Sequence, residues 1–396
     1  MDKGEREGRA TTRILTLKNS GRAGEDGAAA PPPGLDERAD QLAQVLERHR
    51  GERHLVVLQD FPDPDSISAA YAHQLIAARF EIDVDLTYSG RISHQENIAL
   101  VRLLNLDLIP YDVDRMDLQT YDGAVFVDSQ GTTTSVRAGL EEAGVPAIIV
   151  VDHHERQEGV TSEFLDLRKV GATATIYTDY IQQGLLTLEA GRREHVLLAT
   201  ALMHGIMTDT RFLVHGRPED FMAAAFLSQF HDTGLLSEIL SQRRSKPVMD
   251  TIQRALANRL TAENYSIAGI GYIRAEHRDA IPQAADFLLS EENVHTAIVY
   301  GIVMGRRDGV SHEESLVGSL RTSKLTIDPD QFLKEVFGRS AAGNYFGGGK
   351  REAGGFEVPI DFLAGTGDDA YSELKWQVFD QQIKQRLLAK IGAQKK

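Results

Sequence analysis

Three acidic segments and one acid–histidine triplet hold the residues in this chain best suited to chemistry. Pro62-Asp63-Pro64-Asp65-Ser66 sets two carboxylates two residues apart on a turn stiffened by prolines. Asp128 follows the apolar run 123–127, and Asp152-His153-His154 follows the run 147–151. Asp209 stands between two threonines in Gly205-Ile206-Met207-Thr208-Asp209-Thr210. Taken singly, each acid reads as a helix cap or a turn residue. Taken together, Asp63, Asp65, Asp128, His153 and Asp209 are four carboxylates and one imidazole. Such a set cannot share a cleft without strong repulsion unless cations neutralise it. Mixed oxygen and nitrogen donors favour Mn²⁺, with Mg²⁺ as the other candidate. A bridging carboxylate can hold two such ions about 3.5–4 Å apart, the spacing used for in-line displacement at phosphorus by a shared water. No serine or cysteine nucleophile is then needed.

The cationic counterpart lies far along the chain. In Ser319-Leu320-Arg321-Thr322 a guanidinium sits between hydroxyls, a grouping suited to gripping phosphate bidentately. Gly347-Gly348-Gly349-Lys350 offers unhindered backbone N–H groups and an ammonium, which reads as a nest-like anion site. Arg306 and Arg307 read as solvated surface charges. His94, His195, His204, His231 and His295 have no ligand spacing, and Trp376 reads as a packing anchor in a C-terminal helix.

These residues need a scaffold that brings distant segments together. The runs 55–58, 123–127 and 147–151 are short and apolar throughout, as strands buried on both faces of a parallel sheet are. Helix-length segments at 67–80 and 133–143 alternate with them, which predicts an open parallel sheet with helices on both faces. In such sheets ligands bind at the carboxyl ends of the strands, where these acids fall. A helix is expected from 35–36 onward, with Leu42, Val45 and Leu46 on its inner face, and another over 194–204. A smaller α/β domain follows, with strands expected at 265–273, 296–304, 315–322 and 356–360 and helices at 284–289 and 330–337. The expected division is a disordered tail over 1–35, the first domain over 36–234, a helical linker over 235–262 and the second domain over 263–396, with a cleft between the domains. A strand at 12–17 within the tail is a minor expectation.

Composition sets the outer limits. The 396 residues allow two domains at roughly 100–200 residues each. Cysteine is absent, which excludes disulfide scaffolds, thiolate nucleophiles and Cys-based metal sites. The 58 acidic against 43 basic residues give a net charge of −15, a poor match for duplex DNA but compatible with a small anion held by local cations. No apolar run reaches the ~18 residues that span a bilayer, and the first residues lack the apolar core of a secretory signal. A cytoplasmic protein without a membrane partner is expected.

The motif order PDPDSISA, a strand followed by Asp128, Asp152-His153-His154, GIMTDT, SLRT and GGGKREAGG resembles the DHH phosphoesterases that carry a DHH-associated C-terminal domain. It is most similar to the nanoRNase/pAp phosphatase group, related to RecJ-type exonucleases and cyclic-di-AMP phosphodiesterases. The resemblance covers about residues 36–365. It implies two Mn²⁺-type ions on Asp63, Asp65, Asp128, His153 and Asp209, with Asp128 bridging. It further implies Asp152 behind the ligands, and His154 near the scissile phosphate assisting the leaving group. Ser319, Arg321 and Gly347, Gly348, Gly349 and Lys350 would hold the nucleotide end, with Gly171-Ala172-Thr173 beside the site. A homodimer is also implied.

Two positions depart from the pattern. Gln59 stands where many members carry a metal-binding His, and Lys350 replaces the His of the usual GGGH. The expected activity is Mn-dependent hydrolysis of short nucleotides: oligoribonucleotides, 3′-phosphoadenosine 5′-phosphate, or cyclic and linear dinucleotides. The two departures motivate the alternative of a catalytically weak nucleotide-binding or sensory protein.

Overall fold

The computed structural model describes residues 37–393 except 93, 133, 308–309, 351, 361–362 and 366–367, and the side chains of 306–313 are likewise outside the description. The expected tail and the strand expected at 12–17 lie outside the described residues. The first lobe runs α1 (Glu37–Arg48), β1 (Arg53–Val57), α2 (Pro64–Ala78), β2 (Asp83–Tyr88), α3 (Gln95–Leu104), β3 (Leu108–Pro110), β4 (Gly123–Val127), α4 (Val136–Ala143), β5 (Ala147–Asp152), β6 (Phe164–Leu167), α5 (Thr173–Gln182), α6 (Arg193–Asp209), α7 (Pro218–Leu227) and α8 (Thr233–Leu240). The second runs α9 (Lys246–Asn258), β7 (Arg259–Ala262), β8 (Tyr265–Arg274), α10 (Ala280–Leu289), β9 (Thr296–Arg307), β10 (Val310–Thr322), α11 (Pro329–Phe337), β11 (Gly347–Lys350), β12 (Ala353–Pro359) and α12 (Asp369–Lys390).

The first six strands form a parallel sheet in the order β3-β2-β1-β4-β5-β6. The order in which successive strands are added reverses between β1 and β4, and the crevice at that switch is where open α/β sheets bind ligands. The central strands are apolar at every position because both faces are covered. Val56, Val125, Val127, Ile149 and Val151 enter a core with α1, α2, α5 and α6. Their neighbours Leu55, Val57, Ala124, Phe126 and Val150 pack on the opposite face against Val136 and Leu140 of α4. Three strands, β2, β3 and β6, add to the three expected.

The second lobe is a mixed sheet in the order β11-β12-β10-β9-β8-β7, with β8 and β9 parallel and the other pairs antiparallel. Helices α9 and α10 cover one face, and α11 and α12 cover the other. The stretch read as one helical linker divides here: Leu236 and Ile239 of α8 belong to the first core, and Val248, Ile252 and Ala255 of α9 to the second. Trp376 packs on the second core. Among the described residues no helix is long and apolar enough to cross a membrane.

Candidate metal centre and the glycine-rich surface beside it

The carboxyl ends of β4 and β5, the start of α2 after β1 and the end of α6 deliver the acids and His153 to one place. Asp65 is buried in the first turn of α2, and its two oxygens accept from Thr173 N and Ala174 N at 2.7 Å each. Those are orphan N–H groups of α5, whose N-cap is an alanine with no capping side chain. Asp65 thus caps a helix about 108 residues away in sequence, which pins α5 against the site. Asp128 turns the chain out of β4 at φ +54°, a conformation costing a non-glycine residue about 1–3 kcal/mol. Its Oδ1 accepts from Thr173 Oγ1 at 3.0 Å, and Gln59 Nε2 lies 3.4 Å from its Oδ2.

Asp209 is the last residue of α6 rather than a residue beyond the helix. It therefore sits at the negative end of the helix dipole, where a carboxylate is disfavoured without a cation. Gly205 permits this placement. A Cβ there would lie 2.5 Å from Ser68 Oγ and 3.1 Å from Asp65 Cα, so α6 could not approach α2 so closely.

His153 stands at the middle of the group. Its Nε2 is 3.4 Å from Asp209 Oδ2, 3.5 Å from Asp128 Oδ1 and 4.0 Å from Asp65 Oδ2. Its Nδ1 is 3.2 Å from Val170 O, a bond that assigns the proton to Nδ1 and turns the Nε2 lone pair toward the carboxylates. Buried Nε2 has no hydrogen-bond partner among the described residues. A lone pair facing three carboxylate oxygens calls for a cation between them. Two convergent groups share this imidazole: Asp65, His153 and Asp209 in one, Asp128, His153 and His154 in the other. The donor set fits divalent cations of the Mn²⁺ or Mg²⁺ class.

Titration behaviour points the same way. Burial and the neighbouring acids, Asp209 first, push Asp65 up to about 8. Burial, then Asp65 and Asp63, raise Asp128 well above the usual carboxylate range. Burial alone would lower His153, but the nearby carboxylates of Asp209 and Asp65 outweigh it and carry the imidazole up to about 9. Without metal, the cluster gathers protons as its substitute positive charge.

The other expected residues fall as follows. Asp63 is the N-cap of α2: its Oδ1 accepts from Ser66 N at 2.9 Å, and it lies outside both convergent groups. Loss of hydration and the charge of Asp209 raise its pKa, while Ser66 and Gln59 hold it down. Gln59 thus points into the acidic cluster. Asp152 is buried, its Oδ1 2.7 Å from His154 Nδ1 and its Oδ2 accepting from Gln130 Nε2 at 2.8 Å. Burial would raise it, but His154 and Gln130 together keep it below the ordinary value.

Sequence reasoning missed Gln130. It also donates to Glu155 O and accepts from Gln157 N, and so braces the loop carrying both histidines. It missed buried Asp220 as well, which accepts from Gly171 N, Thr175 Oγ1 and Arg217 N and fixes the approach to α5.

In the second lobe the structure corrects two readings. Gly347–Lys350 is not an open nest but strand β11, paired with β12 in the register Gly348↔Gly355 and Gly349↔Gly354. The reason is steric: a Cβ on Gly349 would lie 2.7 Å from Ala353 O, and one on Gly354 2.6 Å from Leu333 of α11. Gly349 N donates to Asp330 Oδ1 at 3.2 Å, and Lys350 is exposed. Arg321 is not a free fork either. Its Nε donates to Asp286 Oδ1 at 2.9 Å and its Nη1 to Ser319 Oγ at 2.8 Å.

Ser319, Arg321, Gly348, Gly349 and Lys350 line a cavity of about 630 Å³ together with Phe61. Phe61 belongs to the first lobe, on the loop between β1 and α2, and its ring is 68% exposed. The lobes meet directly through Arg211 with Glu352 and Arg91 with the Glu276 carbonyl.

No protein-family model matches the sequence. An uncharacterised protein of Methanocaldococcus jannaschii is 32% identical over 341 residues, which is 85% of this chain and 64% of that protein. The chain thus spans less than two thirds of that relative. Among solved structures, an exopolyphosphatase-related protein from Bacteroides fragilis matches with a TM-score of 0.62 at 15% identity, over 89% of this chain and 97% of that one. The chain has the DHH phosphoesterase fold. RecJ from Thermus thermophilus in complex with Mn²⁺ matches at a TM-score of 0.46 and 14% identity, over 91% of this chain and 56% of that one. Within the DHH fold, the acid–histidine groups lie at the topological switch of the sheet and the glycine-rich surface of the second lobe stands across the cleft.

Proposed function

We propose that the protein is a metal-dependent phosphoesterase that hydrolyses short nucleotides, with the expected substrates being oligoribonucleotides, 3′-phosphoadenosine 5′-phosphate or dinucleotides. The unpartnered Nε2 of His153, facing Asp65, Asp128 and Asp209, carries this reading. Those residues, with Asp63 alongside, would hold two divalent cations, Mn²⁺ before Mg²⁺. Such cations supply Lewis acidity toward phosphoryl oxygens and a nucleophilic water at neutral pH.

The chain's own groups do the remaining work. Thr173 and Gln59 orient Asp128 from two sides. Asp152 holds His154 through Nδ1, which keeps Nε2 for proton exchange with a departing oxygen. Across the cleft, the bare strands β11 and β12 let a phosphate or ribose approach backbone closely, and Lys350 supplies a fixed positive charge. Arg321 reaches a phosphate by exchanging Asp286 for it. The exposed Phe61 ring supplies a stacking face for a base.

The test is a panel of 5′-labelled di- to pentaribonucleotides, 3′-phosphoadenosine 5′-phosphate and cyclic dinucleotides with Mn²⁺, with and without chelator. Release of mononucleotide or phosphate that chelator abolishes is the expected result. Tight nucleotide binding without turnover would favour the sensory alternative, and neither binding nor turnover would remove the proposal.

A further inference from the structure

A second group of ligand-type side chains converges at the opposite, amino-terminal end of the parallel sheet. His49, Glu52 and His54, spaced His-x-x-Glu-x-His, span the turn from α1 into β1. His49 Nδ1 is 2.7 Å from Glu52 Oε2, and His54 Nε2 is 3.1 Å from the same oxygen. The three ligand atoms lie within 4.8 Å of one another. His54 is buried and the His49 side chain nearly so, while Glu52 is a third exposed, so the group opens to solvent on one side.

Behind it, Glu163 Oε1 lies 3.2 Å from His49 Nε2, and Arg48 Nη2 holds the other Glu163 oxygen at 3.1 Å. A histidine that gives its outer N–H to a carboxylate while its inner nitrogen faces ligand atoms has the surroundings of a metal-bound imidazole. With the proton on Nε2, His49 Nδ1 and Glu52 Oε2 are two acceptors at hydrogen-bonding distance. A cation between them would reconcile the two.

We propose that His49, Glu52 and His54 form a site for a borderline divalent cation of the Zn²⁺ class, separate from the acidic cluster, with water completing the shell. At bond lengths of about 2.0–2.2 Å, tetrahedral ligand atoms sit a little over 3 Å apart, so the present spacing needs only small side-chain shifts. Two imidazoles and one carboxylate select against Mg²⁺ and Ca²⁺, which take oxygen ligands. Occupied, the site would fasten the end of α1 to the sheet and, through Glu163, to the start of β6.

The experiment uses the full-length chain carrying Asp128→Asn and His153→Ala, which removes a ligand from both convergent groups at the other edge. Co²⁺ is titrated by calorimetry and visible absorption, then displaced with Zn²⁺. The expected result is an equivalent per chain, with the absorption bands of four-coordinate Co²⁺, that disappears when His49→Asn is added. Glu163→Gln should weaken that equivalent about 10–100-fold, and it serves as the readout if His49→Asn lowers the metal-free melting temperature. The same Co²⁺ stoichiometry and affinity with and without the His49 and Glu163 changes would overturn the proposal, as would the absence of Co²⁺ binding in the parent variant.

Discussion

The two ends of the parallel sheet carry the same ligand types in opposite proportion. At the carboxyl end three aspartates gather around one imidazole; at the amino end two imidazoles share one glutamate oxygen, with a second glutamate behind. The first arrangement holds an excess of buried negative charge that only cations or protons relieve. The second holds a smaller excess, two glutamates of which one is paired with Arg48. Position explains the difference. The carboxyl end lies at the switch between β1 and β4, and the loop after β1 carries Phe61, which shares a cavity with the second lobe. The larger excess is suited to more cations and an anionic substrate, and the smaller one to a single ion that braces the fold.

Substitutions that separate the two ends give the largest effect. Asp128→Asn keeps the shape of the side chain but removes the shared charge. Metal Lewis acidity is worth several kcal/mol, so kcat on a dinucleotide should fall about a thousandfold, each 1.36 kcal/mol being a factor of ten. His49→Asn, at the far end, should leave kcat within about twofold, since losses there act on stability rather than on the reacting groups. Equal losses in both variants would abolish the distinction drawn between the two ends.

The pH dependence of stability sharpens the contrast next. After chelation, Asp65 has a folded pKa of about 8 against an ordinary 3.8, so its contribution is complete below about 4 and is lost as pH rises through 8. His153, at about 9 against 6.5, contributes fully below 6.5 and loses that contribution as pH rises through 9. Both signs agree: the chelated protein should melt progressively lower as pH climbs from 5 to 9. Saturating Mn²⁺ should flatten that slope, because bound cations replace the protons. A chelated protein whose melting temperature rises over this range would contradict the assigned cluster.

A third effect is smaller because it acts through another residue. Gln130→Ala removes the brace on Asp152 and on the backbone at Glu155 and Gln157. Outer partners of this kind are worth about 10–100-fold in metal affinity or activity, and the loss should appear in kcat with KM little changed. Gln130→Glu should not restore it, since a carboxylate cannot donate to Asp152.

How much of this was legible in the sequence depended on how local its cause is. β1, β4 and β5 announce themselves because each is apolar on both faces. The strands β2, β3 and β6 lie toward the sheet edges and mix acids or prolines into short runs, as in Asp83-Val84-Asp85-Leu86. The acid cluster could be anticipated from Asp63, Asp65, Asp128, His153 and Asp209 because strand ends fix direction. Gln130 and Asp220 are ordinary polar residues whose partners lie 22 and 49 positions away. Gly347–Lys350 reads as a loop until Gly354 and Gly355 are known to lie opposite it under α11. His-x-x-Glu-x-His was present throughout, but its spacing crosses a turn and matches no single helix face or strand period.

The smallest effect concerns the substrate side of the carboxyl end. Phe61 is exposed, yet it sits on the loop after β1 that also carries Gln59 and lines a cavity with the glycine surface of β11 and β12. Stacking a base on an aromatic ring is worth about 1–3 kcal/mol, with an open, one-sided face at the low end. Phe61→Leu retains apolar contact but removes the flat π face, so KM for a dinucleotide should rise about fivefold, or about 1 kcal/mol, with kcat nearly constant. The same variant should treat bis(p-nitrophenyl) phosphate, which lacks a nucleobase, like the parent. Phe61→Tyr preserves the ring and should restore KM. A uniform loss across both substrates would assign Phe61 to the shape of the metal loop rather than to the nucleotide, because the side chain then acts on the cluster that both substrates need.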